Sequence, residues 1–154
     1  MKNKFMLRAI ALSIESVKTG GGPFGSIIVK DDKIISEGFN KVTSTNDPTA
    51  HGEIVAIRDA CKKLNNFNLK GSELYSTCEP CPMCLSAIYW SHIDNIFYAN
   101  SRDDAKKINF DDSLIYSEIS KKNEDRKIPI KQMLREEALK VFELWSKKTD
   151  KIKY

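Results

Sequence analysis

The sequence is short of histidine and sparing with cysteine. Its 154 residues hold two histidines, His51 and His92, and four cysteines, of which Cys78, Cys81 and Cys84 are bunched together. A secreted disulfide scaffold spreads its cysteines, so the bunching points to reduced thiols, a metal-binding use and the cytoplasm. No run of about 18 apolar residues occurs, which leaves no membrane-spanning helix. The N-terminal Met1-Lys2-Asn3-Lys4-Phe5 is basic, yet no small-residue cleavage site follows a long apolar run, so no signal peptide is read. Strong charge is also missing. The net charge of +4 is spread along the chain; it permits an anionic partner and does not demand one. Without repeats, low-complexity tracts or a linker, the expectation is one domain over residues 1–154.

What is present alternates between helical and extended patterns. Phe5, Met6, Ala9, Ile10, Leu12, Ile14 and Val17 predict a helix over 3–18, stopped by Gly20-Gly21-Gly22-Pro23. Strands are predicted at 24–29, 33–39, 73–76 and 93–99, with a turn at Asp31-Asp32 and a polar loop over 40–46. Asp47 is read as an N-cap with Pro48 at the first helical position, opening a helix whose apolar face is Ile54, Ile57, Cys61 and Leu64. Cys81-Pro82 repeats that signal before a helix running to about Ser91. Ile128-Pro129-Ile130 reads as an edge strand, and Leu134, Ala138, Val141, Phe142 and Trp145 mark an amphipathic helix. Residues 101–127 have no clear pattern. The alternation predicts a three-layer α/β/α sandwich.

Two short motifs carry chemistry. Cys81 and Cys84, three apart at a helix start, present both sulfurs on one side of the first turn, and the unpaired N–H groups there favour thiolates. His51 opens the other helix. If the two helix N-termini lie level, the three residues form a ligand set with a fourth position open, the pattern of catalytic rather than structural zinc. Glu53 is then placed to carry protons between water and substrate. A lone Cys-x-x-Cys is common and on its own fits structural zinc or a redox pair. Cys78, Cys81 and Cys84 together spell C-x2-C-x2-C, which also fits an iron–sulfur cluster if Cys61 supplied a fourth ligand.

His51-Gly52-Glu53 with Pro80-Cys81-Pro82-Met83-Cys84 resembles the cytidine-deaminase-like zinc superfamily. Gly21-Gly22-Pro23-Phe24-Gly25, Asn46-Asp47-Pro48-Thr49-Ala50-His51, Ala87-Ile88-Tyr89-Trp90, Phe110-Asp111-Asp112-Ser113 and Tyr154 are similar to the small bacterial guanine deaminases within it. The resemblance implies a mixed five-stranded sheet and a homodimer that exchanges its C-terminal segments, from about residue 130 to 154. It implies Zn2+ on His51, Cys81 and Cys84, with Glu53 catalytic and a small purine base as substrate. It also implies that Asn40 and Asp112 read the base, that Phe24 and Trp90 wall the pocket, and that Tyr154 reaches the neighbouring subunit's site.

The sequence departs from the pattern at two positions. Gly52 stands where alanine is usual, and Ser86 where glycine is expected. Three other readings compete. A tRNA adenosine deaminase would carry a Lys-Thr-Gly-Ala-like stretch after the last strand. Here Ser101-Arg102-Asp103-Asp104-Ala105 puts acid where an RNA phosphate would approach, so nucleic acid is not the expected partner. Guanosine and other amino-bearing heterocycles remain open. A non-catalytic zinc module would have no use for Glu53.

Overall fold

The structure, a computed structural model, describes residues 2–154; Met1 lies outside the described residues. These residues form two compact units, one ending at Asp112 and one spanning Ser113–Tyr154.

The first unit is built on a four-stranded mixed sheet of β1 (Gly25–Lys30), β2 (Lys33–Phe39), β3 (Ser72–Cys78) and β4 (Asn95–Asn100), in the order β2-β1-β3-β4. β1 is antiparallel to both β2 and β3, whereas β3 and β4 are parallel. The implied fifth strand is absent among the described residues. Ile128-Pro129-Ile130 is irregular chain, because Pro129 lacks the N–H a ladder needs and no sheet edge pairs with it. The β1–β2 hairpin turns through Asp31 and Asp32, both at positive φ, the left-handed pair that matches strand twist.

Helices cover both sheet faces. α1 (Asn3–Lys18) has neither glycine nor proline and turns Phe5, Ala9, Leu12 and Ser16 inward. Phe5 and Leu12 pack with Ile27, Val29 and Tyr75, and Phe5, Tyr75 and Phe97 form a run of ring contacts. On the other face α3 (Gly52–Leu64) and α4 (Pro82–Trp90) close a second cluster of Ile28, Ala56, Ile57, Ala60, Leu69, Leu74 and Ile88. Gly38 makes that layer possible: a Cβ there would lie 2.3 Å from the Gly52 carbonyl and 2.6 Å from the Ala56 nitrogen. Gly25 does the same for α1, with the Ala9 carbonyl 2.4 Å from a Cβ position.

Two expectations near the first motif shift. The polar loop over 40–46 contains a one-turn helix, α2 (Val42–Thr45). Asp47 is not the cap of α3. Its Oδ1 accepts from the Thr49 N–H and hydroxyl, a local Asx turn, and α3 starts only at Gly52 with His51 as N-cap. The unassigned stretch after β4 begins with α5 (Arg102–Lys107), opened by a reciprocal capping box between Ser101 and Asp104.

The second unit holds α6 (Ser113–Ile119), a 3-10 turn (Asn123–Asp125) and α7 (Arg135–Lys147). Glu118 organises its first half, pairing with Lys121 and accepting from the Lys127 N–H. α7 is the predicted amphipathic helix, yet no residue of it is buried; Val141, Phe142, Leu144 and Trp145 are exposed.

Candidate active site

β2, β3 and β4 run in one direction, and the chain leaves their C-terminal ends to build one cluster. Asn40 follows β2, Cys78 closes β3 just ahead of Cys81, and Asn100 closes β4 just ahead of Arg102. Phe24 enters at the same end, because β1 runs the opposite way.

At this end α3 and α4 present their N-termini side by side. His51 and Cys81 are the two N-cap residues, and Pro82 sits at the first position of α4, where its missing N–H costs nothing. One ligand atom from each of His51, Cys81 and Cys84 lies within 4.8 Å of the others. His51 Nδ1 is 3.6 Å from Cys81 Sγ and 3.5 Å from Cys84 Sγ. A tetrahedral zinc with Zn–S near 2.3 Å and Zn–N near 2.05 Å has an N···S edge of about 3.6 Å. The donor set therefore fits zinc in kind and in spacing.

Electrostatics agrees. The Cys84 thiol, and then His51, pull the Cys81 thiol down to about 4. Cys84 is pushed up, first because it is the thiol donating to Cys81 and then by burial. The two sulfurs compete for one proton, and Cys81 is the thiolate. The pairing with Cys81 raises the His51 imidazole. A dication among the three would resolve the conflict, because its attraction for each thiolate outweighs their mutual repulsion.

Glu53 lies in the first turn of α3 and is only 5% exposed. Ser76 Oγ donates to its Oε1 at 3.0 Å, and its Oε2 is 3.5 Å from Cys84 Sγ. Ser26 Oγ donates in turn to Ser76 Oγ at 3.1 Å. Burial raises the Glu53 carboxyl, the direction a proton carrier needs.

Cys78 and Cys61 take no part. Cys78 Sγ donates to the Ser101 carbonyl and burial pushes its thiol up to about 11. Cys61 Sγ turns to the Phe67 carbonyl. The iron–sulfur alternative therefore lacks its ligands.

Of the residues expected around the base, Asn40, Phe24 and Asp112 each have a defined partner in the first unit. Asn40 is buried, and its Oδ1 accepts from the N–H groups of Val42 at 3.2 Å and Gly22 at 3.5 Å. Phe24 meets Phe110 edge-on, with ring centroids 4.8 Å apart. Asp112 pairs with Arg102, Nε donating to Oδ1 at 3.0 Å. Trp90 is different. It ends α4, about 12 Å along the axis from Pro82 at 1.5 Å per residue, and is 65% exposed. Tyr154 belongs to the second unit and is exposed. Sequence reading missed Ser26, Ser76 and Arg102. The two serines left a signal, since hydroxyls in otherwise apolar strands need buried partners.

Residues 1–100 match the cytidine and deoxycytidylate deaminase zinc-binding region. The chain belongs to this zinc-dependent deaminase family. The deaminase is 51% identical over 151 residues to the guanine deaminase of Bacillus subtilis (strain 168), covering 97% of each chain. The X-ray structure of a guanine deaminase from Bacillus subtilis superposes with a TM-score of 0.97 at 50% identity, over 100% of this deaminase and 99% of that chain. A tRNA-specific adenosine deaminase of Aquifex aeolicus is 42% identical over 98 residues, 64% of this deaminase and 65% of the relative. Among the described residues of the deaminase, no helix is long and apolar enough to cross a membrane.

Proposed function

We propose that the protein hydrolyses guanine to xanthine and ammonia. What carries the reading is the reach of the likeness: to a guanine deaminase it extends over 97% of the chain, Asp112 and the C-terminal segment included, whereas to the tRNA deaminase it spans 64%.

His51, Cys81 and Cys84 hold the zinc, which when bound supplies the Lewis acidity that makes water a nucleophile near neutral pH. Glu53 takes the proton that water loses as the new C–O bond forms at C2 of the base. It passes that proton to the adjacent ring nitrogen, then takes the second proton from the new C2 hydroxyl and delivers it to the amino group, so that the C2–N bond breaks, the C2 carbonyl forms and ammonia leaves. Ser76 holds the carboxylate through these transfers. Asn40 and Asp112 orient the base. Two backbone N–H groups occupy Asn40 Oδ1, which aims its NH2 at substrate as a donor, while Asp112 offers a carboxylate acceptor. A donor beside an acceptor suits guanine, with its carbonyl and neighbouring N–H; adenine presents the reverse. Phe24, backed by Phe110, offers one aromatic wall.

The protein works as a homodimer that exchanges its segment from about residue 130, bringing Tyr154 and the outlying Trp90 into use at the neighbouring subunit's site. The exposed apolar side chains of α7 support this, as does Trp90's distance from its own ligands. Its four free cysteines favour the cytoplasm.

Ammonia release from guanine, guanosine, adenine, cytosine and cytidine tests the substrate. Guanine is expected to dominate, and turnover of another base with none of guanine refutes the reading. Sedimentation at micromolar concentration tests the dimer.

A further inference from the structure

We propose that Arg102 is a positioning residue for guanine recognition, aiming the Asp112 carboxylate at the base. The proposal rests on the reading above in which Asp112 accepts from the base.

Arg102 is fixed from the metal side. Its backbone N–H donates to Glu79 Oε2 at 3.2 Å, and the Glu79 N–H donates to the Asn100 carbonyl at 2.8 Å. Glu79 stands just ahead of the metal ligand Cys81, so the start of α5 is tied to the loop that holds the metal. The chain then doubles back. Asn109 is left-handed at φ 69°, and the Phe110 N–H closes onto the Ala105 carbonyl at 3.0 Å. The reversal returns Asp112 to Arg102, where Nε donates to Oδ1 at 3.0 Å.

Two neighbours steady the returning segment without touching that carboxylate. Phe110 packs edge-on against Phe24, and Asp111 pairs with Lys106 at 3.2 Å. The hydrogen bond and ion pair of the Asp112 carboxylate are made with Arg102. The Asp112 side chain is 19% exposed and that of Arg102 31%, so the carboxylate is largely withdrawn from water and held by a planar, permanently charged partner. The pairing occupies Oδ1 and leaves Oδ2, which accepts no hydrogen bond from any described residue, as the atom offered to the base. An aspartate side chain has two torsions, and one directional bond from a rigid donor restricts both. Arg102 thus sets where the acceptor points, from a backbone anchored beside the metal.

A double-mutant cycle tests this. Arg102→Gln is expected to raise KM for guanine on the order of tenfold while kcat stays within about threefold, since a charge-assisted bond to the base reader is lost and the proton carrier is untouched. Arg102→Lys, which keeps the charge but not the planar donor, falls between. In an Asp112→Ala background, Arg102→Gln is expected to add less than about twofold, because the atom it aims is gone. If the two substitutions multiply instead, or if Arg102→Gln lowers kcat and leaves KM unchanged, the positioning role is overturned. A wild-type KM in Asp112→Ala alone retires the reading of Asp112 itself, and the proposal with it. Zinc content and thermal midpoint are measured on every variant, and Arg102→Lys carries the cycle if Arg102→Gln does not fold.

Discussion

Ser76→Ala is the sharpest probe of how Glu53 is held. Glu53 is buried in the first turn of α3, and Ser76 donates to one of its oxygens at 3.0 Å, with Ser26 behind it at 3.1 Å. A hydrogen bond to a charged group contributes about 1.5–3 kcal/mol. Glu53 is ionised in one part of the cycle and protonated in another, so the rate feels only the difference, and this figure is a ceiling. At about 1.4 kcal/mol per factor of ten, that ceiling corresponds to roughly 10- to 150-fold in kcat, and the expected fall is about 3- to 30-fold. KM stays within about twofold, because Ser76 faces the carboxylate and not the base. The assay is loss of guanine absorbance at saturating substrate, with zinc measured on the same sample. Undiminished kcat at full zinc occupancy refutes the claim that Ser76 holds the proton carrier. A raised KM with unchanged kcat assigns Ser76 to the base pocket instead.

Three further outcomes follow from the geometry. In protein stripped of metal by a chelator, Cys81 is already thiolate at pH 6, because Cys84 and His51 hold its pKa near 4, so iodoacetamide is expected to label Cys81 first. Peptide mapping that finds Cys61 labelled first contradicts the coupling. Gly52→Ala should stabilise by about 0.5–1 kcal/mol, since the new Cβ meets only ordinary contacts at 3.4 Å and longer. Gly38→Ala should cost about 1–3 kcal/mol or more, since its Cβ meets backbone; denaturant melts that fail to separate the two refute this account of how α3 is seated. The Asp104 carboxyl is held down to about 2, first by the Ser101 hydroxyl and then by Lys107. Its folded pKa is depressed, so its contribution is present above the ordinary aspartate value and is lost as pH falls toward 2. A carboxyl NMR titration with a midpoint near 4 would remove the capping box.

Much of this is legible in the sequence. The ends of α1 and β1 were marked by glycine and aspartate turns, and the ligand set by its own spacing. Asp47 misled because aspartate before proline signals both a helix cap and an Asx turn, and only the need to bring His51 level with Cys81 selects the turn. His51 and Cys81 are unusual N-caps, chosen for ligation rather than for bonding the first turn. The Ser101–Asp104 capping box went unread, because α5 has too few residues for hydrophobic periodicity to mark a helix behind it. Ile128-Pro129-Ile130 looked extended because β-branched residues flank a proline, and strand character needs a neighbour the local sequence cannot supply. The Arg102–Asp112 pair depends on a chain reversal at a left-handed asparagine, which residue spacing does not announce.

The direction of the strands has a practical consequence. Because the chemistry gathers where β2, β3 and β4 end, the opposite ends of the strands are joined by turns: Asp31-Asp32, Lys70-Gly71 and Asp94. These turns are fastened to one another, Lys30 to the Lys70 carbonyl and the Gly71 N–H to Asp94, and they stand a full strand length from Glu53. That rim is where the molecule accepts alteration. A fluorophore, an affinity tag or a new pair of chain ends placed at Asp32 leaves the catalytic rim intact, so the protein can be tethered, labelled or circularly permuted at the β1–β2 turn.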